Sequence, residues 1–228
     1  HESAFTALVA RVQRAHTLGT VGELLGWDEQ VNLPSGAAEQ RATQHAVLAE
    51  VQHAAASDPR IGELLGLLEA GAETTLEPDV SAIVANARRD YDRATKLPAE
   101  FVREKAAQGS RGYHAWVRAK AADDFAAFAP VLEKNLELAR REAAYLGCGD
   151  APYDAMIDKH DPGLTAEAVG RLFDELRREL VPLMQAIAAS PAVERARAIG
   201  ERLQGFPVET QRMFLREVTE RIGFDYAR

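Results

Sequence analysis

Cysteine occurs once in the 228 residues, at Cys148. No intrachain disulfide can therefore staple the fold, which favours a reducing, cytoplasmic setting. No apolar run approaches the ~20 residues a membrane-spanning helix needs. The opening residues, His1-Glu2-Ser3-Ala4-Phe5-Thr6-Ala7-Leu8, lack the basic and apolar regions of a signal peptide. An excess of positive charge is missing too. The net charge is −8, and no basic stripe is interleaved with aromatics, so phosphate neutralisation on a nucleic acid has no platform. Arg140-Arg141 and Arg177-Arg178 are flanked by acids and read as solvated helix faces. β-branched runs are scarce, which leaves little to build strands from. No solenoid-period repeat and no sustained heptad register occurs. The expected partners thus exclude nucleic acid and membrane.

Good helix formers fill the chain instead: alanine, leucine, glutamate and arginine. Apolar residues make up 46% and charged residues 27%, an ordinary balance for a globular protein. Apolar positions recur at three- and four-residue spacing, the mark of amphipathic helices. Phe5, Leu8, Val9, Val12 and His16 share one face. Gln44, Val47, Leu48, Val51 and Ala55 share another. Val80, Val84, Ala87, Tyr91 and Ala94 continue the pattern, as do Val102, Ala106, Gly109, Tyr113 and Trp116. Phe125, Phe128, Leu132, Leu136, Ala139 and Ala143 form the cleanest stripe. Leu172, Leu176, Leu180, Leu183 and Ile187 form the next. The expected fold is an all-α, irregular multi-helix domain of roughly ten helices spanning 1–228.

Punctuation agrees. Leu33-Pro34-Ser35-Gly36 breaks the chain before a long helix. Asp58 is an N-cap candidate before Pro59, and Asp123 or Asp124 before Phe125. Pro98 suits a first helical turn, and Thr165 an N-cap. Pro182 sits inside an apolar stripe and is expected to kink its helix near residues 178–181. Gly109 and Gly112 read as close-packing or kink positions.

The titratable residues offer little chemistry. Zinc catalysis needs two His one helical turn apart plus a third ligand. None of the six His meets this. His45 and His53 are separated by about 12 Å of helical rise. His16, on an apolar stripe, reads as a core or half-buried residue. Asp154 and Asp158 share a helix face with His160 and Asp161 nearby. They form either an acid pair or cation site, or a solvated helix end, and the second reading is preferred. Cys148, between glycines and without a base nearby, is not a nucleophile. Tyr113 and Trp116 read as core aromatics. No catalytic residue and no metal ligand is assigned.

One motif stands apart. Leu25-Gly26-Trp27-Asp28 is followed by Pro34-Ser35-Gly36 and then Arg41, in the form L-G-W-D-x-x-x-x-x-P-x-G-x-x-x-x-R. Next come Arg88-Arg89-Asp90-Tyr91 with Ala94 and Leu97-Pro98, and then Trp116 with Asp124-Phe125, Phe128, Pro130 and Leu132. Tyr153-Asp154 with Asp158 and Asp161-Pro162-Gly163 follow, then Gly205-Phe206-Pro207 and Gly223-Phe224-Asp225. These ordered landmarks resemble the N-terminal portion of the carboxypeptidase Taq family of thermostable HExxH zinc metallocarboxypeptidases. Lys120 stands where the family pattern favours Arg, His160 near its usual Tyr, and Asp161 in place of Glu. No HExxH occurs in the sequence.

The resemblance implies an N-terminal helical wall and lid over a substrate cleft, in a chain that lacks the catalytic half. The intact protein it implies removes C-terminal residues from peptides. A metal-activated water attacks, the HExxH glutamate is base, and zinc or another divalent metal such as cobalt is the cofactor. It also implies a homodimer, with peptides and the missing catalytic half as partners. This chain alone is then inactive. An alternative of another class is a non-catalytic helical protein-interaction module. Trp27 and Asp28, following a short helix and preceding the Pro34 break, face the substrate groove in one reading. In the other, which is preferred, Trp27 packs in the core and Asp28 caps a helix or forms an ion pair. Arg111 is a groove candidate because a peptide's C-terminal carboxylate must be neutralised.

Overall fold

The computed structural model describes residues 2–70, 77–147 and 151–227, so His1 and Cys148 lie outside the described residues. Among the described residues there are ten α-helices and no strand, as the unbroken helical periodicity predicts. They are α1 (Glu2–Val31), α2 (Ala38–Ala56), α3 (Pro59–Ala70), α4 (Pro78–Lys96), α5 (Ala99–Ala121), α6 (Phe125–Leu146), α7 (Pro152–Asp158), α8 (Ala166–Ala188), α9 (Ala192–Leu203) and α10 (Val208–Arg221). A 3₁₀ turn, Ser35–Ala37, links α1 to α2. Two compact units divide the chain, His1–Thr165 and Ala166–Arg228.

The punctuation residues act largely as their chemistry dictates. Asp58 Oδ1 accepts from the Arg60 amide at 2.9 Å, and Asp124 Oδ1 accepts from the Ala127 amide at 3.0 Å. Each satisfies an amide that has no partner within its helix. Gly147 ends α6 in the left-handed region, φ 84°, where a side chain would be strained. Pro98 precedes α5 rather than entering its first turn. α8 runs as one helix from Ala166 to Ala188 with Pro182 inside it.

The core of the first unit lies where α1, α3 and α4 meet. Leu8, Ile61, Leu64, Leu65, Leu68, Val84 and Ala87 are buried together, with Phe5, Val12, Val80 and Tyr91 packed on them. The α1 and α4 stripes read from the sequence are these faces. Close approach is enforced at Gly62, where a Cβ would come within 2.7 Å of the Tyr91 hydroxyl. His16, expected to be buried or half-buried on the α1 stripe, is exposed, because the core covers only the first part of α1.

Three other helices bury a different face from the one predicted. α2 and α5 form the most extensive helix pairing. They meet through Ala42 and Ala46 on α2 and Ala107 on α5, while Gly112 faces Val131 and Asn135 of α6. Small side chains let helix axes approach closely, so Val47 and Val51 are left exposed. On α5 the buried set is Phe101, Ala107, Ser110, Gly112 and Ala119, none of which belongs to the predicted stripe. Tyr113 is only half-buried and Trp116 is exposed. On α6 the buried residues are Leu138, Glu142 and Ala143, while Phe125, Leu132 and Leu136 face solvent.

The second unit comprises α8, α9 and α10. None of its described residues is buried. The α8 stripe of Leu172, Leu176, Leu180, Leu183 and Ile187 is exposed throughout, as are Phe206, Phe214 and Ile222. An amphipathic helix acquires most of its stability by covering such a face. Leu65, fully buried in the first unit, is expected to lose about 2–5 kcal/mol on truncation to alanine. Leu183→Ala is expected to change stability by less than about 0.5 kcal/mol. Denaturant unfolding followed by circular dichroism checks both, and equal effects would contradict the division into a packed and an unpacked unit.

Candidate functional site

Trp27 and Asp28 do not follow a short helix. α1 is continuous to Val31, and both lie near its C-terminal end. The Asp28 carbonyl accepts from the amides of Asn32 and Leu33 at 2.9 and 3.1 Å, which closes the helix before Pro34. The motif therefore ends one helix and begins another. Arg41, in the second turn of α2, explains its last position. The buried guanidinium donates to the Leu25 carbonyl at 2.5 Å, to Asp28 Oδ2 at 2.5 Å and to Gln44 Oε1 at 2.9 Å. A cation at the negative end of α1 is favoured by the helix dipole. The bidentate reach of arginine ties the two helices across the Pro34-Ser35-Gly36 turn.

Asp28 is thus ion-paired. Its bond from Arg41, helped by one from the Asn32 side chain, holds its carboxyl below the usual aspartate range. Trp27, by contrast, is 56% exposed. The expectation that it packs in the core is corrected. Position 27 of α1 turns away from α2, whose contacts go to Leu25, Asp28 and Glu29. Truncation of a side chain this exposed costs far less than loss of a buried aromatic.

Arg111 is not a lone cation. It donates to both carboxylate oxygens of Glu39 on α2, from Nε at 3.2 and 3.0 Å and also from Nη2. That pairing raises Arg111 above and lowers Glu39 below their usual ranges. Arg111 also borders an open groove between α2 and α5, lined by Thr43, Val47, Glu50 and Arg103.

Between these pairs sits a group the sequence reading passed over. Glu29, next to Asp28, is 8% exposed. Its Oε2 lies 3.1 Å from Nε2 of His45 on α2. Its Oε1 lies 2.9 Å from Nε2 of His114 on α5 and also accepts from the Ser110 hydroxyl. An ionised carboxylate only accepts, and an imidazole facing one then donates from Nε2. Asp28, Glu29, Arg41, His45, Ser110, Arg111 and His114 thus occupy one junction of α1, α2 and α5. The sequence signal for Glu29 was faint: a charged residue one position from a motif, on a helix without a strong apolar stripe.

The arrangement is not a hydrolytic triad. In a triad the histidine takes the proton of the hydroxyl, whereas Ser110 and His114 both bond to the same carboxylate oxygen. Nor does it fit a catalytic metal, because each Nε2 is engaged with a carboxylate oxygen at hydrogen-bond distance. Among the described residues, no set of three or more His, Cys, Asp or Glu could hold a metal ion.

The Asp154–Asp158 pair lies on α7. Asp158 Oδ2 is 3.2 Å from Arg93 Nη1, and its Oδ1 accepts from the Gly163 amide at 2.9 Å. It anchors the turn after α7, while His160 and Asp161 are exposed. A second buried carboxylate, Glu142, accepts from Lys105 and from Lys159 at 3.1 Å. Burial works to raise the Glu142 carboxyl, but the two ammonium groups prevail and hold it low. Burial also pushes the Lys105 ammonium down.

A family profile described as "Carboxypeptidase Taq (M32) metallopeptidase" matches residues 7–228. Thermostable carboxypeptidase 1 of Pyrococcus furiosus is 34% identical over 82% of this chain and 37% of its own length. Thermostable carboxypeptidase 1 of Thermus thermophilus is 32% identical over 98% of this chain and 45% of its own length. The crystal structure of the M32 carboxypeptidase from Deinococcus radiodurans superposes with a TM-score of 0.72 at 38% identity, covering 98% of this chain and 44% of that one. The chain spans less than half the length of these relatives.

The sign of the Asp28 effect predicts the acid behaviour of the junction. A carboxyl held low in the fold contributes stability that is present above its ordinary range, near 3.8. That contribution is lost as pH falls through the folded value. The loss of stability from about pH 5 to about pH 2 is expected to be shallower in Asp28→Asn than in the parent. Denaturation midpoints across that range measure it, and parallel curves would contradict the pairing.

Proposed function

Because this chain belongs to the carboxypeptidase Taq (M32) metallopeptidase family, we propose that it forms the N-terminal helical wall of a peptide cleft. The activity of the whole protein is then release of C-terminal amino acids from peptides. The observation that carries this is Trp27. A tryptophan 56% exposed on a helix end pinned by Arg41 and Glu29 adds little to packing. It is a ready platform for a peptide side chain. Asp28 follows it in the chain, and Arg111 borders the groove between α2 and α5, available to a carboxylate that displaces Glu39. The chain shapes access and carries no chemistry. Zinc or another divalent metal such as cobalt belongs, in this reading, to residues outside those described here.

The exposed apolar faces of α8 and α10 support a covering partner. In this reading the partner is the part of the carboxypeptidase beyond the length this chain spans, in a protein that pairs as a homodimer. The same faces favour the second reading, a helical interaction module without catalysis. No helix among the described residues is long and apolar enough to cross a membrane.

A chimera separates the two readings. Residues 1–228 replace the matched N-terminal portion of the Deinococcus radiodurans carboxypeptidase. The chimera is expected to release the C-terminal residue from a blocked dipeptide in a metal-dependent way, and residues 1–228 alone are expected to release none. Within the chimera, Trp27→Ala is expected to raise KM with a stability change below about 1 kcal/mol. A folded but inactive chimera would favour the interaction module.

A further inference from the structure

The pairs Asp28–Arg41 and Glu39–Arg111 border the junction of α1, α2 and α5, but in each the carboxylate is open to solvent, which weakens its hold on the helices. Glu29 differs in being buried and in accepting from residues of both neighbouring helices. A buried carboxylate stripped of its donors is strongly unfavourable, so the three helices are constrained to keep those donors in place.

We propose that Glu29 is a positioning residue. It holds the α1 turn carrying Trp27 and Asp28 against the α5 turn carrying Arg111, and fixes His45 and His114 with their protons on Nε2. It acts through Trp27 and Arg111 and touches no substrate itself. Its importance for catalysis rests on the cleft-wall reading, whereas its effect on the helices does not. The ring nitrogens left over follow from the same geometry. Neither Nδ1 has a partner among the described residues. Neither is sealed from solvent without one. Each ring therefore keeps an acceptor that is not sealed from water.

The two carboxylate oxygens are not equivalent, and this makes the proposal specific. Oε1 accepts from two donors, Ser110 and His114, and Oε2 from His45 alone. In Glu29→Gln the amide oxygen is expected at the Oε1 place and the amide NH₂ at the Oε2 place. The amide then donates to Nε2 of His45, and that ring must move its proton to Nδ1. His114 keeps its own on Nε2.

The test is long-range ¹H–¹⁵N spectroscopy of the histidine rings in the labelled 228-residue chain at about pH 8.5, where histidine is ordinarily neutral. Signals are assigned with His45→Asn and His114→Asn. In the parent, both rings are expected as Nε2–H tautomers. In Glu29→Gln, His45 alone is expected to switch. A parent ring protonated on Nδ1, or a Glu29→Gln variant in which neither or both rings switch, would overturn the assignment. Should Glu29→Gln not fold, Ser110→Ala replaces it. That variant must keep both Nε2–H signals, and loss of either overturns the proposal. The positioning role is read from Trp27, made the sole tryptophan by Trp116→Phe. Glu29→Ala is expected to red-shift its emission and strengthen acrylamide quenching. Unchanged emission and quenching would show that α1 is held without Glu29. These readouts involve no hydrolysis, so an inactive chimera with the expected spectra removes the cleft-wall reading and leaves the positioning role standing.

Discussion

A carboxylate taken out of water must find its donors within the protein, and Glu29 finds them on two other helices. His45 comes from α2, and Ser110 and His114 from α5. Meeting that demand fixes the rotation of all three helices about their axes, because a turn of either neighbour would carry its donors away. It also requires close approach. The small residues Ala42, Ala46 and Ala107 between α2 and α5 allow it. Polar satisfaction and small-residue packing are therefore one constraint seen from two sides.

The Arg41 clamp works on the same junction from outside. It is buried, while Asp28 stays partly open to solvent. Its bond to the Leu25 carbonyl makes it a cap as much as an ion-pair partner. The L-G-W-D…R motif is thereby given a physical reason in which Asp28 and Arg41 staple a helix end to a helix start. Trp27, between Gly26 and Asp28, is the part of the motif this staple does not need. Its exposure is what connects the junction to peptide binding in the reading proposed above.

The two units stand in different physical situations. The first has a contiguous core from α1, α3 and α4 and two buried carboxylates satisfied by neighbouring helices. The second has amphipathic helices whose apolar sides face solvent. Their sequences are patterned for burial as strongly as those of the first unit. The relatives are more than twice as long as the part this chain matches, so their chains contain ample surface to cover such faces.

Much was legible without coordinates. Helix-forming composition and 3.6-residue periodicity dictate an all-α fold, since side-chain and backbone preferences act within a few residues of chain. Asp58 and Asp124 mark helix starts for the same local reason. The ordered landmarks identify the family. The buried faces of α2, α5 and α6 were not legible, because periodicity ranks residues by hydrophobicity and these helices also bury alanine, glycine, serine, arginine and glutamate. Nor was Glu29, whose donors lie 16, 81 and 85 residues away in sequence. Trp27 was expected inside and lies outside, because its side of the helix is decided by where Arg41 and Glu29 find their partners. Local chemistry determined which segments are helices and where they stop. Only the tertiary structure decided which side of each faces inward, because that depends on contacts between residues the chain keeps far apart.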